Sequence, residues 1–408
     1  MTIDMINGGA SVMPLASRSA TAYPTLASLE GTLCSPSPPT PLDAQFRALF
    51  TIKSLAMTSG NADDLPQAIR IIGKTLATSN SALLKHELAY VLGQMQDSRA
   101  IPTLAKVLED EGEHAMVRHE AAEAMGAIAD PVALSVLGHY RNDKDVSVRE
   151  TCELAIRKIQ FEVQKQEEQP KLNGASALYN PFAPIDPAPA FEITLASSKE
   201  AAANSAAASL SSLSAQVLAS IPSYRNTLLD QSQTLFDRYR AMFSLRNAVH
   251  VARRESEHPS LSSQQRSNVL AKGEEAILAL CDSLEDGSAL FRHEICFVFG
   301  ELAHIRCVPA MLKVLSDSEE HEMVRHEAAE ALGTVVGEGD EDEVAKEGGT
   351  NLKNQVIKEL KRWAEDPEAP CVVRESCIVA LDEMAYNNDP SQFQLRDNAF
   401  PEEPVAVA

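Results

Sequence analysis

Apolar residues recur at three- and four-residue intervals from about residue 42 to 160 and again from about 223 to 388. That period predicts two runs of short amphipathic helices, each burying one stripe. Between the runs, residues 161–222 pass from Gln/Glu-rich sequence into Tyr179-Asn180-Pro181-Phe182-Ala183-Pro184-Ile185-Asp186-Pro187-Ala188-Pro189, then an Ala/Ser tract. Proline at this density cannot continue a helix, so the stretch is expected to be a linker. Residues 1–41, rich in Ser, Thr and Pro, are expected to form a disordered tail, and 389–408 a polar C-terminal tail.

The two helical runs are copies of one another. A shift of 207 lays His86–Gly126 on His293–Gly333 without a gap, with 22 identities in 41 positions. Arg47-Ala48-Leu49-Phe50 against Arg240-Ala241-Met242-Phe243 opens each half, and Val148-Arg149-Glu150-Thr151-Cys152 against Val373-Arg374-Glu375-Ser376-Cys377 closes it. Within each half a unit of about 31 to 33 residues repeats: an apolar helix, an acidic turn, and Val-Arg opening a second helix. The unit resembles the HEAT repeat, with Pro102 and Pro309 in first helices, Asp110 and Asp317 in turns, and an Arg after each turn. The expected fold is therefore all-α, a solenoid of about eight helical hairpins in two halves of four. The insertion at 337–349 is expected to be a solvated loop.

Composition narrows the setting. A formal charge of −22 repels nucleic acid and anionic membranes and attracts basic partners. The seven cysteines form no CxxC, which suits reduced thiols in the cytoplasm. No apolar run approaches the roughly 20 residues needed to span a bilayer, and the first 25 residues lack the basic and apolar regions of a secretory signal. A cytoplasmic location follows, with nuclear presence compatible.

Chemistry concentrates in four His-Glu pairs: His86-Glu87, His119-Glu120, His293-Glu294 and His326-Glu327. Each stands at the start of a second helix, and such helices line the inner face of a solenoid about 8–10 Å apart. His86 with His119, and His293 with His326, are thus placed to converge on metal. Four carboxylates and four neutral imidazoles balance two divalent cations, and a thiolate-free N/O donor set suits iron, manganese or catalytic zinc. A lone His-Glu on a helix is ordinarily a solvated pair, the reading given to His114 and His321. Glu123 and Glu330, four residues after a histidine, are either braces for it or solvated. Met116 and Met323, three residues before a histidine, either line an apolar channel or pack in the core.

Tandem four-repeat halves, the segments Ala-Met-Val-Arg-His-Glu and Glu-Met-Val-Arg-His-Glu, Ser-Ala-Leu-Phe-Arg-His-Glu (288–294) and Arg-Tyr-Arg-Ala-Met-Phe (238–243) together resemble the deoxyhypusine hydroxylase family. The resemblance covers about 42–160 and 222–388. It implies an O2-dependent monooxygenase with two Fe2+ ions. The substrate it implies is the deoxyhypusine side chain on the precursor of a translation initiation factor, a basic protein partner. It further implies a metal site of all eight residues, with iron held by the four histidines and carboxylate help chiefly from Glu120 and Glu327, while Glu87 and Glu294 serve more in gripping the substrate amine. A phycobilin-lyase-like protein and a non-catalytic HEAT scaffold, both without iron, are the competing readings. Neither requires paired imidazoles and carboxylates in both halves.

Overall fold

The computed structural model describes residues 24–34, 40–168, 185–192, 212–338 and 349–387. Among these residues the chain is all-α and builds four helical hairpins in each half. In the first half they are α1 (Leu26–Leu33) with α2 (Leu42–Thr58), α3 (Asp64–Thr78) with α4 (Ala82–Gln94), α5 (Ile101–Glu109) with α6 (Ala115–Ile128), and α7 (Leu134–Tyr140) with α8 (Val146–Glu168). A short α9 (Ser212–Ala219) precedes the second half. Its hairpins are α10 (Ile221–Leu229) with α11 (Leu235–Ser256), α12 (Ser263–Asp282) with α13 (Ala289–Leu302), α14 (Val308–Ser316) with α15 (Glu322–Glu338), and α16 (Gly349–Glu365) with α17 (Cys371–Asn387).

The repeated residues explain the hairpins. Pro102 and Pro309 sit in the first turns of α5 and α14, where no backbone donor is lost. Asp110 and Asp317 each accept the amide two residues on, at 2.9 Å, and so shape the turn. The arginine after the turn folds back: Nε of Arg118, Arg238 and Arg325 donates to the carbonyls of Leu108, Leu228 and Leu315 at 3.0, 2.9 and 3.2 Å. Each of these buried guanidiniums thereby satisfies an orphan carbonyl at the end of the first helix. Second helices stack on one another closely because Gly93 faces Ala124, and Gly126 faces Ala155. A Cβ on either glycine would lie 2.7 and 2.9 Å, respectively, from the facing Cα.

The halves close on one another head to tail. Ser81, the N-cap of α4, donates to Glu375 on α17 at 2.7 Å, and its duplicate Ser288, the N-cap of α13, donates to Glu150 on α8 at 2.6 Å. Each serine also accepts from its own helix, Leu84 N at 3.0 Å and Phe291 N at 3.1 Å. His114 and His321, expected to be solvated pairs, cap α6 and α15 by accepting from Met116 N and Met323 N; His321 is exposed and His114 half-buried. His114 also pairs with Glu322 across the halves at 3.2 Å.

Two segments, the tail 1–41 and the linker 161–222, hold more structure than expected. Within 1–41, Thr25 opens α1 with a capping box, and Leu26 and Leu33 bury against the rest of the first hairpins. An apolar Leu-x6-Leu helix escapes a compositional reading dominated by flanking Ser and Pro. Within 161–222, α8 runs on to Glu168, α9 forms, and residues 185–192 dock on α11, where Asp186 takes two 2.7 Å bonds from Arg246. Residues 1–23, 35–39, 169–184 and 193–211, the acidic insertion from 339 to 348, and the tail 389–408 lie outside the described residues.

The glycine contacts make a direct test. Gly93→Ala is expected to destabilise the protein by about 1–2 kcal/mol in urea unfolding despite alanine's better helix propensity, because the backbones must part. Gly300→Ala, where the new Cβ meets only ordinary contacts at 3.4 Å, should be neutral or stabilising. Equal effects at the two sites would show that close stacking is not required.

Candidate metal centre

The fifth residue of each of α4, α6, α13 and α15 is a histidine followed by a glutamate. Identical placement on four facing helices brings all eight side chains to one buried locus between the halves, and every one of these residues is buried. Ring centroids of His86 and His326 lie 5.1 Å apart, His293 and His326 5.2 Å, His86 and His119 5.5 Å, and His119 and His293 5.5 Å. The shortest separation crosses between halves, so the imidazoles form one cluster rather than two separate pairs. His86–His119–His293, His293–His326–Glu327 and His119–Glu120–Glu123 each present donor atoms within 4.8 Å of one another, close enough to share an ion.

These rings lack the partners that buried polar groups require. Nδ1 of His86 meets Glu87 Oε1 at 3.1 Å. The other seven ring nitrogens of the four histidines are buried without a hydrogen bond. Nε2 of His86 and of His293 approach Glu120 and Glu327 at 3.3 Å, but out of line for one. Buried polar atoms are nearly always satisfied, so a cluster of orphaned ring nitrogens fits a site built to hold a cation.

Electrostatics agree. Burial opposes charge on His86, but Glu120 and Glu87 outweigh it and hold the ring well above the usual imidazole range. Burial, reinforced by His293 and His86, drives His119 well below that range; burial with His86 and His293 does the same to His326. Burial raises Glu120 and pushes Glu123, Glu294 and Glu330 well above ordinary carboxyl values. Glu120 adds to the effect at Glu123, Glu123 and Asp186 at Glu294, and Glu87 and Glu327 at Glu330. Without metal these acids hold their protons to higher pH than free carboxyls do; a divalent cation would oppose that shift.

Above the cluster opens a cavity of about 1100 Å³ lined from both halves. His86, His293 and the four paired glutamates reach it, whereas His119 and His326 lie fully buried beneath. Eleven carboxylates face this space against one guanidinium, Arg47. Its apolar walls include Phe46, Phe50, Tyr90 and Phe297, the last two 6.1 Å apart across the halves.

Two stretches, 69–157 and 277–382, match the family model for HEAT repeats. Deoxyhypusine hydroxylase of Mycosarcoma maydis is 51% identical over 385 residues, covering 91% of this chain and 98% of that relative. The Homo sapiens deoxyhypusine hydroxylase is 40% identical over 360 residues, 88% of this chain and 91% of that one. The solved structure of human deoxyhypusine hydroxylase in complex with glycerol matches with a TM-score of 0.64 at 39% identity, covering 88% of this chain and 96% of that one. The chain belongs to the deoxyhypusine hydroxylase family.

Not every residue singled out from sequence belongs to this hydroxylase-family cavity. Met116 and Met323 do not line it; both are buried in the core. Three residues of helix leave a side chain about 60° off its histidine, enough to turn it into the adjoining helix. Sequence reasoning missed Tyr90 and Phe297, although each follows a cavity histidine by four residues, one turn along the same face. Glu123 and Glu330 face the cavity rather than solvent, and Glu330 accepts from Ser376 at 2.9 Å.

The proton count gives a linkage test. Carboxyls raised by folding add stability below about pH 4.5 and lose it as pH rises through their elevated folded values. The depressed His119 and His326 act oppositely, adding stability above the usual imidazole value and losing it as pH falls through their low folded ones. Metal competes with the carboxyl protons, so the rise in melting temperature on adding Mn2+ should be larger at about pH 8 than at about pH 5.5. A rise independent of pH would contradict competition between metal and protons at the cluster.

Proposed function

We propose that this chain is a cytoplasmic deoxyhypusine hydroxylase, a monooxygenase that uses two Fe2+ ions and O2. Its substrate is the deoxyhypusine side chain on a translation initiation factor precursor. The observation that carries the reading is the buried cluster of four imidazoles and four carboxylates beneath an acidic cavity. The donor set fits iron: it is entirely N and O, its ring nitrogens are orphaned, and four carboxylates match the charge of two divalent ions. A scaffold without metal leaves those buried nitrogens unexplained.

His86, His119, His293 and His326 would hold the ions, with Glu120 and Glu327 as carboxylate ligands. When bound, iron supplies the electrons and oxygen chemistry that an unactivated C–H bond demands. Glu87 and Glu294, which also face the cavity, are placed to accept hydrogen bonds from the substrate's ammonium groups. Tyr90 and Phe297 offer apolar faces to its methylenes and shield the cluster from bulk water. Abundant carboxylates draw in a polyamine-like side chain and the basic loop that carries it. Cross-half placement means that neither half alone assembles the site.

The freshly purified protein should contain about two irons per chain by elemental analysis. His86→Ala should lose roughly half the metal and all hydroxylation of the deoxyhypusine-bearing factor, since a missing imidazole leaves an open coordination position. Full metal content and full activity in that variant would defeat the ligand assignment.

A further inference from the structure

The halves meet along two seams, α2 against α17 and α8 against α11. These seams are duplicates: a shift of 193 lays α2 on α11, and a shift of 225 lays α8 on α17. A shared ring contact marks the equivalence, with Arg240 over Phe161 at 5.4 Å and Arg47 over Tyr386 at 6.0 Å.

The α8–α11 seam carries a piece of the chain itself. Residues 185–192 are held on α11 by three side chains. Arg240 Nε donates to the Pro189 carbonyl at 3.1 Å, Ser244 Oγ accepts from Phe191 N at 2.9 Å, and Arg246 pairs with Asp186. At the matching positions α2 carries Arg47, Thr51 and Lys53: again a guanidinium, a hydroxyl and a cation. Among the described residues none of these three holds an extended segment. Arg47 pairs with Asp43 and Asp382, Thr51 donates back to the Arg47 carbonyl, and Lys53 lies over the Tyr90 ring. Phe243 of α11 is fully buried, whereas its duplicate Phe50 is 41% exposed at the cavity.

Charge identifies the occupant. The filled seam has Arg157 and Lys158 on α8, and its segment is acidic, with Asp186 and with Glu192 paired to Lys165 at 3.3 Å. At the positions of Arg157 and Lys158 the open seam has Asp382 and Glu383, both lining the cavity. The polarity is reversed on the α17 side, where Asp382 and Glu383, with Asp43 of α2, outnumber Arg47 and Lys53, so the favoured occupant is cationic. The chain's own tail, 389–408, has four acids and one base and is repelled.

We propose that the α2–α17 seam docks an extended, cationic peptide of the substrate protein, the chain flanking the modified side chain, in the way that residues 185–192 fill the duplicate seam. This rests on the functional reading above. Arg47 and Thr51 take its main chain, Phe50 covers it, and Asp382 and Glu383 select its charge. The modified side chain then descends towards Glu87 and Glu294.

A photo-crosslinking amino acid in place of Phe50, in the full-length iron-loaded chain with saturating deoxyhypusine-bearing factor, tests this. The expected cross-link joins position 50 to factor residues flanking the modified side chain. Phe50→Ala and Thr51→Val should each raise KM for the factor about five- to ten-fold while kcat and iron content hold. The proposal is overturned by a cross-link to residues 1–23, to the C-terminal tail or to a second copy, by no cross-link to the factor, or by an unmoved KM. If the wild-type protein forms no hypusine at all, the functional reading fails instead.

Discussion

Everything in this molecule turns on holding eight ionisable side chains, buried from water, between two halves that share no continuous helix. Such a cluster is unfavourable on its own: desolvation pushes Glu120 and Glu294 towards protonation and His119 and His326 towards neutrality. The fold tolerates it because the surrounding scaffold is otherwise well satisfied. Arginines close the α5–α6, α10–α11 and α14–α15 hairpins, serines cap α4 and α13, and those same serines reach across to the opposite half. A divalent cation replaces the unfavourable desolvation with coordination, so metal loading and stability are coupled.

Duplication accounts for the geometry. Because α4, α6, α13 and α15 each place histidine at the fifth position, a head-to-tail closure of the halves suffices to converge all four. The same duplication creates two equivalent seams, and their difference is informative. One is filled by a segment of the chain itself; the other opens onto the cavity and carries acids on α17 where α8 carries bases.

Much of this was legible in the amino-acid order. Helical spacing, Pro102 and Pro309, the turn aspartates and the following arginines mark the hairpins, since each acts within a few residues of itself. The His-Glu pairs stand out because a solvated pair has no reason to persist in register across a duplication. Closure was not legible: the Ser81–Glu375 bond joins residues 294 apart, and nothing local announces it. The choice between channel and core at Met116 and Met323 stayed open for a related reason, because spacing gives the face of a helix but not what that face meets. Helix α1 and residues 185–192 were hidden by composition, their few anchoring side chains outnumbered by Ser, Pro and Ala.

The central claim is that side chains from both halves share one metal centre. Anomalous diffraction at the iron edge from crystals of the iron-loaded protein tests it most directly. The account predicts two peaks among His86, His119, His293 and His326, between α4, α6, α13 and α15. Peaks confined to surface carboxylates, or an iron ligated by one half alone with the other half's histidines turned away, would contradict it.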